Sequence, residues 1–157
     1  QVGYYLWVDL SDTQLFWDIP VNAIFSPGRP GAGQDSARIL AGSNANKGTG
    51  VSLYVYTTNE KGAKISFSQA DDVKMTSGPE PRPTFPTWYG FTGTATVKPT
   101  QDELIRASAL NSYTMTVPDC TGTNGWVRYL WSAIDVGKYS ERGTYKDDLY
   151  ITVANLP

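Results

Sequence analysis

Apolar residues recur at every second position in one short segment after another, and no property of the chain restricts its fold more than this period of two. A strand turns successive side chains to opposite faces, whereas a helix repeats every three to four residues. At the N-terminus Val2, Tyr4, Leu6, Val8 and Leu10 share one face. After the polar break Ser11-Asp12-Thr13, a second run places Leu15, Trp17, Ile19, Val21, Ala23 and Phe25 on one face, against Gln14, Asp18 and Asn22. Val51, Leu53 and Val55 alternate with Ser52, Tyr54 and Tyr56, and Ala63, Ile65 and Phe67 follow. The last stretch, GTYKDDLYITVANLP (143–157), sets Tyr145, Leu149, Ile151 and Val153 on one face, with Asp147 as their only charge. Lys146, Asp148, Tyr150, Thr152 and Ala154 fall opposite. Read as a single strand, it has no hairpin partner downstream, so an earlier strand or another chain must cover its free edge.

Gly, Pro, Asn, Asp and Ser clusters separate the runs. Pro20 cannot donate to a ladder, so the strand around it is expected at an edge or broken there. SPGRPGAGQDS (26–36), NANKGTG (44–50) and the four-proline segment SGPEPRPTFP (77–86) read as loops and turns. TNEKG (58–62) reads as the turn of a hairpin joining 51–57 to 63–68. SARILAG, TWYGFTGTATVK, SYTMTV and GWVRYLWSAI supply further strands. PTQDELIRASAL (99–110) carries the one helical signal, with Thr100 as cap and Glu103 three residues on, as in a capping box. About nine strands at this spacing predict an all-β chain folded as a β-sandwich.

At 157 residues the chain is one domain by size. A content of 40% hydrophobic and 13% aromatic residues is too rich for a disordered chain. Its net charge of −2, from 13 basic and 15 acidic residues interspersed, lacks the basic face of a nucleic-acid binder. No apolar run is long enough for a membrane-spanning helix, so no membrane insertion is expected. A start at Gln1-Val2-Gly3 is expected of a processed, secreted product. The single Cys120 cannot close a disulfide within the chain and is expected to be buried.

Chemistry is sparse. The chain has no histidine, which removes imidazole-based triads and metal sites, and one cysteine cannot build a thiolate zinc site. The glycine-rich GRPGAG (28–33) precedes no helix that would present its N-terminus to phosphate. A glycosidase needs two carboxylates facing one cleft. Glu60, Glu80, Glu103 and Glu141 fall in turns, loops and a helix start, and only Asp9, Asp18 and Asp147 lie on strands. Asp71-Asp72 lacks the spacing of a calcium loop. No enzyme activity, metal or cofactor is therefore expected. Trp17 and Trp131 read as core. Trp88, Tyr89 and Trp126 are the candidates for an exposed, sugar-stacking contact.

The terminal pattern carried by Gly143, Tyr145, Leu149, Ile151 and Val153 resembles the last strand of chaperone–usher pilins. VSLYVYTTNEKGAKISFSQADDVKM (51–75) resembles the strand–turn–strand of the major pilins of colonisation-factor (alpha class) fimbriae, and so does the order of an alternating extension, a polar break and a strand leading to Phe25-Ser26-Pro27. YYLWVDL is more aromatic than the usual donor strand of that family, and Tyr5 and Trp7 fall on its opposite face.

The resemblance implies an immunoglobulin-like sandwich that lacks its final strand and is completed by donor-strand exchange. Residues 1–12 would be the donor extension and 13–157 the pilin domain. Val2, Tyr4, Leu6, Val8 and Leu10 would insert into a neighbour's groove, walled by Leu15, Trp17 and Ile19 on one side and Leu149, Ile151 and Val153 on the other. The implied partners are further copies in a linear homopolymer, a periplasmic chaperone and an outer-membrane usher, with a host glycan as a possible ligand. The implied location is a fimbria on the bacterial surface. Parity alone does not separate a donor strand from a first strand retained in its own sandwich, because both bury the same face; the alternative function is a secreted carbohydrate-binding β-sandwich, a lectin or adhesin domain using Trp88, Tyr89 or Trp126. A phage or capsid-like structural protein would self-assemble too.

Overall fold

The computed structural model describes residues 4–11, 16–19, 36–41, 49–137 and 143–157. The fold is all-β, and every strand pairing is antiparallel. In chain order the strands are β1 (Leu6–Leu10), β2 (Phe16–Ile19), β3 (Ser36–Ala41), β4 (Val51–Thr57), β5 (Ala63–Ser68), β6 (Val73–Met75) and β7 (Thr84–Phe85). β8 (Thr87–Thr92), β9 (Ile105–Arg106), β10 (Thr114–Val117), β11 (Trp126–Gly137), β12 (Gly143–Lys146) and β13 (Tyr150–Asn155) complete them. The largest sheet runs β1-β4-β11-β8-β9, with β3 also on β11. β10-β5-β13 and β2-β12-β6-β7 form the other two.

β11 organises the large sheet because its 12 residues are long enough for two partners on one edge. β8 takes residues 129–134, while β4 and β3 follow end to end along the opposite edge. The expected alternation is present in β4 and β5. Val51, Leu53 and Val55 are buried, as are Ala63, Ile65 and Phe67, and all six join one core with Leu110, Val117 and Leu130. Each such aliphatic side chain removed from water contributes about 1.5–3 kcal/mol.

The two strands are not a hairpin, contrary to the sequence reading. β4 bonds to β1 and β11, whereas β5 bonds to β10 and β13. Residues 58–62 therefore arch from one sheet to another, so that the apolar faces meet across the core. Asn59 makes the arch. It is buried, and its amide donates to the carbonyls of Gly62 at 2.9 Å and Leu156 at 2.7 Å. Gly62 has φ +84°, and a Cβ there would collide with the carbonyl oxygen of Val117.

The terminal stretch also departs from the single strand read in the sequence. Its parity holds throughout: Tyr145 is buried and Leu149, Ile151 and Val153 are half-buried, with exposed residues between them. Yet β12 and β13 belong to different sheets. The chain changes sheet at Asp147, whose carboxylate accepts from the Asp71 amide at 3.1 Å and the Tyr89 hydroxyl at 2.8 Å. The helix expected over 99–110 is likewise divided. The Thr100 amide donates to Glu103 Oε1 at 2.8 Å, as the capping box requires, but only a 3₁₀ turn follows. Ile105 and Arg106 then pair with Tyr89 and Trp88 as β9, leaving one helical turn, α1 (Ala107–Leu110). Strand pairing outweighs helix propensity there. Trp131 is fully buried and its indole donates to Thr92, and Cys120 is buried as a free thiol.

Candidate functional site

Residues 5–11 lie along the edge of their own β4. Leu6 pairs with Thr57, Val8 with Val55 and Leu10 with Leu53, so these three side chains share the core-facing side of the sheet. Trp7 pairs with Tyr56 and Asp9 with Tyr54 on the outer side. Polar clamps hold both ends. The Tyr5 amide donates to Thr58 Oγ1 at 2.9 Å, and the Ser52 amide donates to Ser11 Oγ at 2.8 Å. The polar break after Leu10 thus begins with a residue that fastens the strand.

This strand is poorly covered. Leu6 and Val8 face inward yet remain 37% and 44% exposed, and Tyr4 is exposed as well; only Leu10 packs against the core. Val2 lies outside the described residues. The reason is geometric. β1 flanks β4 while β13 flanks β5, and these two outermost strands approach to within 8 Å between Cα atoms. Neither has a strand beyond it among the described residues, so the inward side chains of β1 have half a lid. On β13, Ile151 pairs with Phe67 and Val153 with Ile65, which turns both toward the core. They and Leu149 pack against it but stay half-exposed.

The expected groove walls are placed differently. Leu15 lies outside the described residues. Trp17 is paired directly with Tyr145, and Ile19 with Gly143, so β2 is bonded to β12 with no strand-wide gap between them. Among the described residues β13, farther along the chain, is one of the open edges, at the end of the β10-β5-β13 sheet. Leu149, Ile151 and Val153 border it, whereas Trp17 and Ile19 belong to the neighbouring sheet.

The expected sugar-stacking trio does not assemble. Tyr89 is 5% exposed, which corrects its reading as a surface contact. Burial and the neighbouring Asp147 push its hydroxyl well above the ordinary tyrosine range. Desolvation in turn raises the Asp147 carboxyl, against the hydrogen bonds from Asp71 and Tyr89 that favour its charged form. Trp88 is half-buried beneath the Arg106 guanidinium, 4.8 Å from the ring centroid, and Trp126 carries Arg128 at 4.6 Å. Each cation–π contact covers one face of its ring. Among the described residues the most exposed rings are instead Tyr5, at 74%, and Trp7, at 64%.

Several of the described carboxylates are engaged in structure. Asp72 pairs with Arg106 at 3.1 Å, and the hydrogen bond from Lys74 holds the Glu80 carboxyl below its ordinary range. Among the described residues no group of three or more His, Cys, Asp or Glu is placed to hold a metal ion. Comparison with protein-family models, curated proteins and solved structures found no match to this chain.

Proposed function

We propose that the chain is a structural subunit of a bacterial surface fimbria, an immunoglobulin-like sandwich that polymerises by passing its N-terminal strand to a neighbouring copy. One observation carries this reading: β1 is apolar on its inward face but leaves Leu6 and Val8 more than a third exposed when folded on its own chain. A fully exposed apolar edge is a hazard in a monomer and an adhesive in a polymer. The acceptor is the free edge of β13, where Leu149, Ile151 and Val153 stay half-exposed. A strand added there gains main-chain hydrogen bonds, and its alternate side chains enter the apolar slot. The resemblance to alpha-class pilins supports the same reading and adds a chaperone to cover the slot before assembly and an usher to order it.

The test compares the full chain with a chain lacking residues 1–12, on unboiled denaturing gels and by light scattering. A heat-sensitive ladder from the full chain, absent after truncation while the truncated chain stays folded, is the expected result. A monomeric full chain, or a truncated chain that no longer folds, overturns the proposal.

A further inference from the structure

The turn that leads into β11 holds Asn124-Gly125, where the chain has its one asparagine followed by glycine. A glycine carries no Cβ to shield its amide nitrogen from the side chain before it. Asn124 is exposed, and among the described residues no partner holds its side-chain amide. Other asparagines are tied down. Asn111, followed by the small Ser112, accepts from the Ala70 amide and donates to the Ala70 carbonyl, each at 2.9 Å. Asn59 donates to Gly62 and Leu156, and Asn155 accepts from Thr57 at 2.6 Å. Only the main chain of Asn124 is anchored, through its carbonyl, which accepts from the Tyr54 hydroxyl at 2.8 Å.

We propose that Asn124 is a self-modification site, converted by water to aspartate and isoaspartate in the folded chain. Hydroxide takes the proton of the Gly125 amide, and that nitrogen attacks Cγ of Asn124. The Cγ–Nδ2 bond breaks, and ammonia leaves with a proton drawn from water, which restores the hydroxide. The succinimide ring so formed then adds one water. Breaking its bond from nitrogen to Cγ gives aspartate. Breaking its bond from nitrogen to the main-chain carbonyl carbon gives isoaspartate, whose chain runs through Cβ and Cγ. One water enters, one ammonia leaves, and nothing is oxidised or reduced. Thr123 is the brake. The Gly125 amide donates to Thr123 Oγ1 at 3.1 Å, and a hydrogen bond made by the protonated form opposes loss of its proton. Either product adds a negative charge to a chain of formal charge −2. Isoaspartate also lengthens the main chain beside Gly125, where even a Cβ would strike the Tyr54 ring, and so disturbs the pairing of Trp126 with Val55. The reaction needs neither β1 nor strand exchange.

Incubation of the full chain in mildly alkaline buffer tests it, with peptide mass spectrometry to locate the change and an isoaspartyl methyltransferase to count isoaspartate. The folded chain should gain one mass unit at residue 124, in both product forms, at a rate that rises in proportion to hydroxide. Asn111 should stay unmodified over the same period. Asn124→Gln should abolish the gain at that position, and Thr123→Ala should hasten it severalfold, while Thr123→Ser, which keeps the hydroxyl, should react like the wild type. A gain that appears only in urea overturns the proposal, as does modification of Asn111 at the same rate. A Thr123→Ala chain that reacts no faster than the wild type overturns it as well. The gel ladder is read on fresh protein, so failure here leaves the assembly proposal standing.

Discussion

Asn59 is the residue through which the arch between β4 and β5 grips the end of the chain, and replacing it separates hydrogen bonding from charge. Asn59→Ala removes two donated bonds, to Gly62 and Leu156. Gly62 keeps a donor, because its carbonyl also accepts from the Leu156 amide at 2.9 Å, whereas the Leu156 carbonyl loses the Asn59 amide. Two lost bonds at about 0.5–1.5 kcal/mol each, and one partly buried acceptor left poorly satisfied, give roughly 2–3 kcal/mol. With a urea dependence of about 2 kcal/mol/M, the unfolding midpoint should fall by roughly 1–1.5 M. Asn59→Asp is more severe at neutral pH, because a buried carboxylate would face two carbonyl oxygens. Its folded-state pKa is then raised, so the folded chain binds the proton more tightly than the unfolded one. Stability is lowest above that pKa and recovers as pH falls toward about 4, where the acid regains one donor. Urea unfolding followed by tryptophan fluorescence at pH 7 and pH 4 reads both variants. If Asn59→Asp tracks Asn59→Ala at both pH values, the carbonyl-lined pocket is not what holds this arch.

Two further outcomes follow from buried groups. Desolvation raises the Asp147 carboxyl, so the wild type loses stability as pH rises from the unfolded value, near about 3.9, through the folded one. Asp147→Asn keeps an acceptor for the Asp71 amide and the Tyr89 hydroxyl and should flatten that part of the stability–pH curve; parallel curves for the two proteins would refute the assignment. Cys120, 2% exposed, should react with a thiol reagent far more slowly in the native chain than in urea, and equal rates would contradict its placement.

Faces were legible in the sequence, and neighbours were not. The period of two correctly separated Val51, Leu53 and Val55 from Ser52, Tyr54 and Tyr56, and Ile151 and Val153 from Thr152 and Ala154. It carries no information about which strand lies alongside. A hairpin and an arch between sheets use the same alternation, so residues 51–68 were joined in the wrong layer. The deciding residue, Asn59, looks like ordinary turn composition until its amide is seen to reach Leu156. The split of the terminal stretch at Asp147 depends on Asp71 and Tyr89, both more than 50 residues away.

On the exchange reading β1 has to leave its own chain, and its energetics set how much that step costs. Ordering residues 4–11 costs about 1–2 kcal/mol each, or roughly 8–16 kcal/mol in all. Against this stand hydrogen bonds at about 1 kcal/mol each, roughly one per ordered residue. Partial burial of Leu6, Val8 and Leu10 adds about 3–5 kcal/mol. The two sides agree to within a few kcal/mol, so β1 is held with little net stabilisation. Covering Leu6 and Val8 completely would tip that balance, and the missing half of their lid is apolar surface that the described residues of the chain do not supply. On the exchange reading, the in-chain pairing is the weaker of two positions for one strand. It shields the β4 edge of a free subunit and yields once a neighbour offers a slot with both walls.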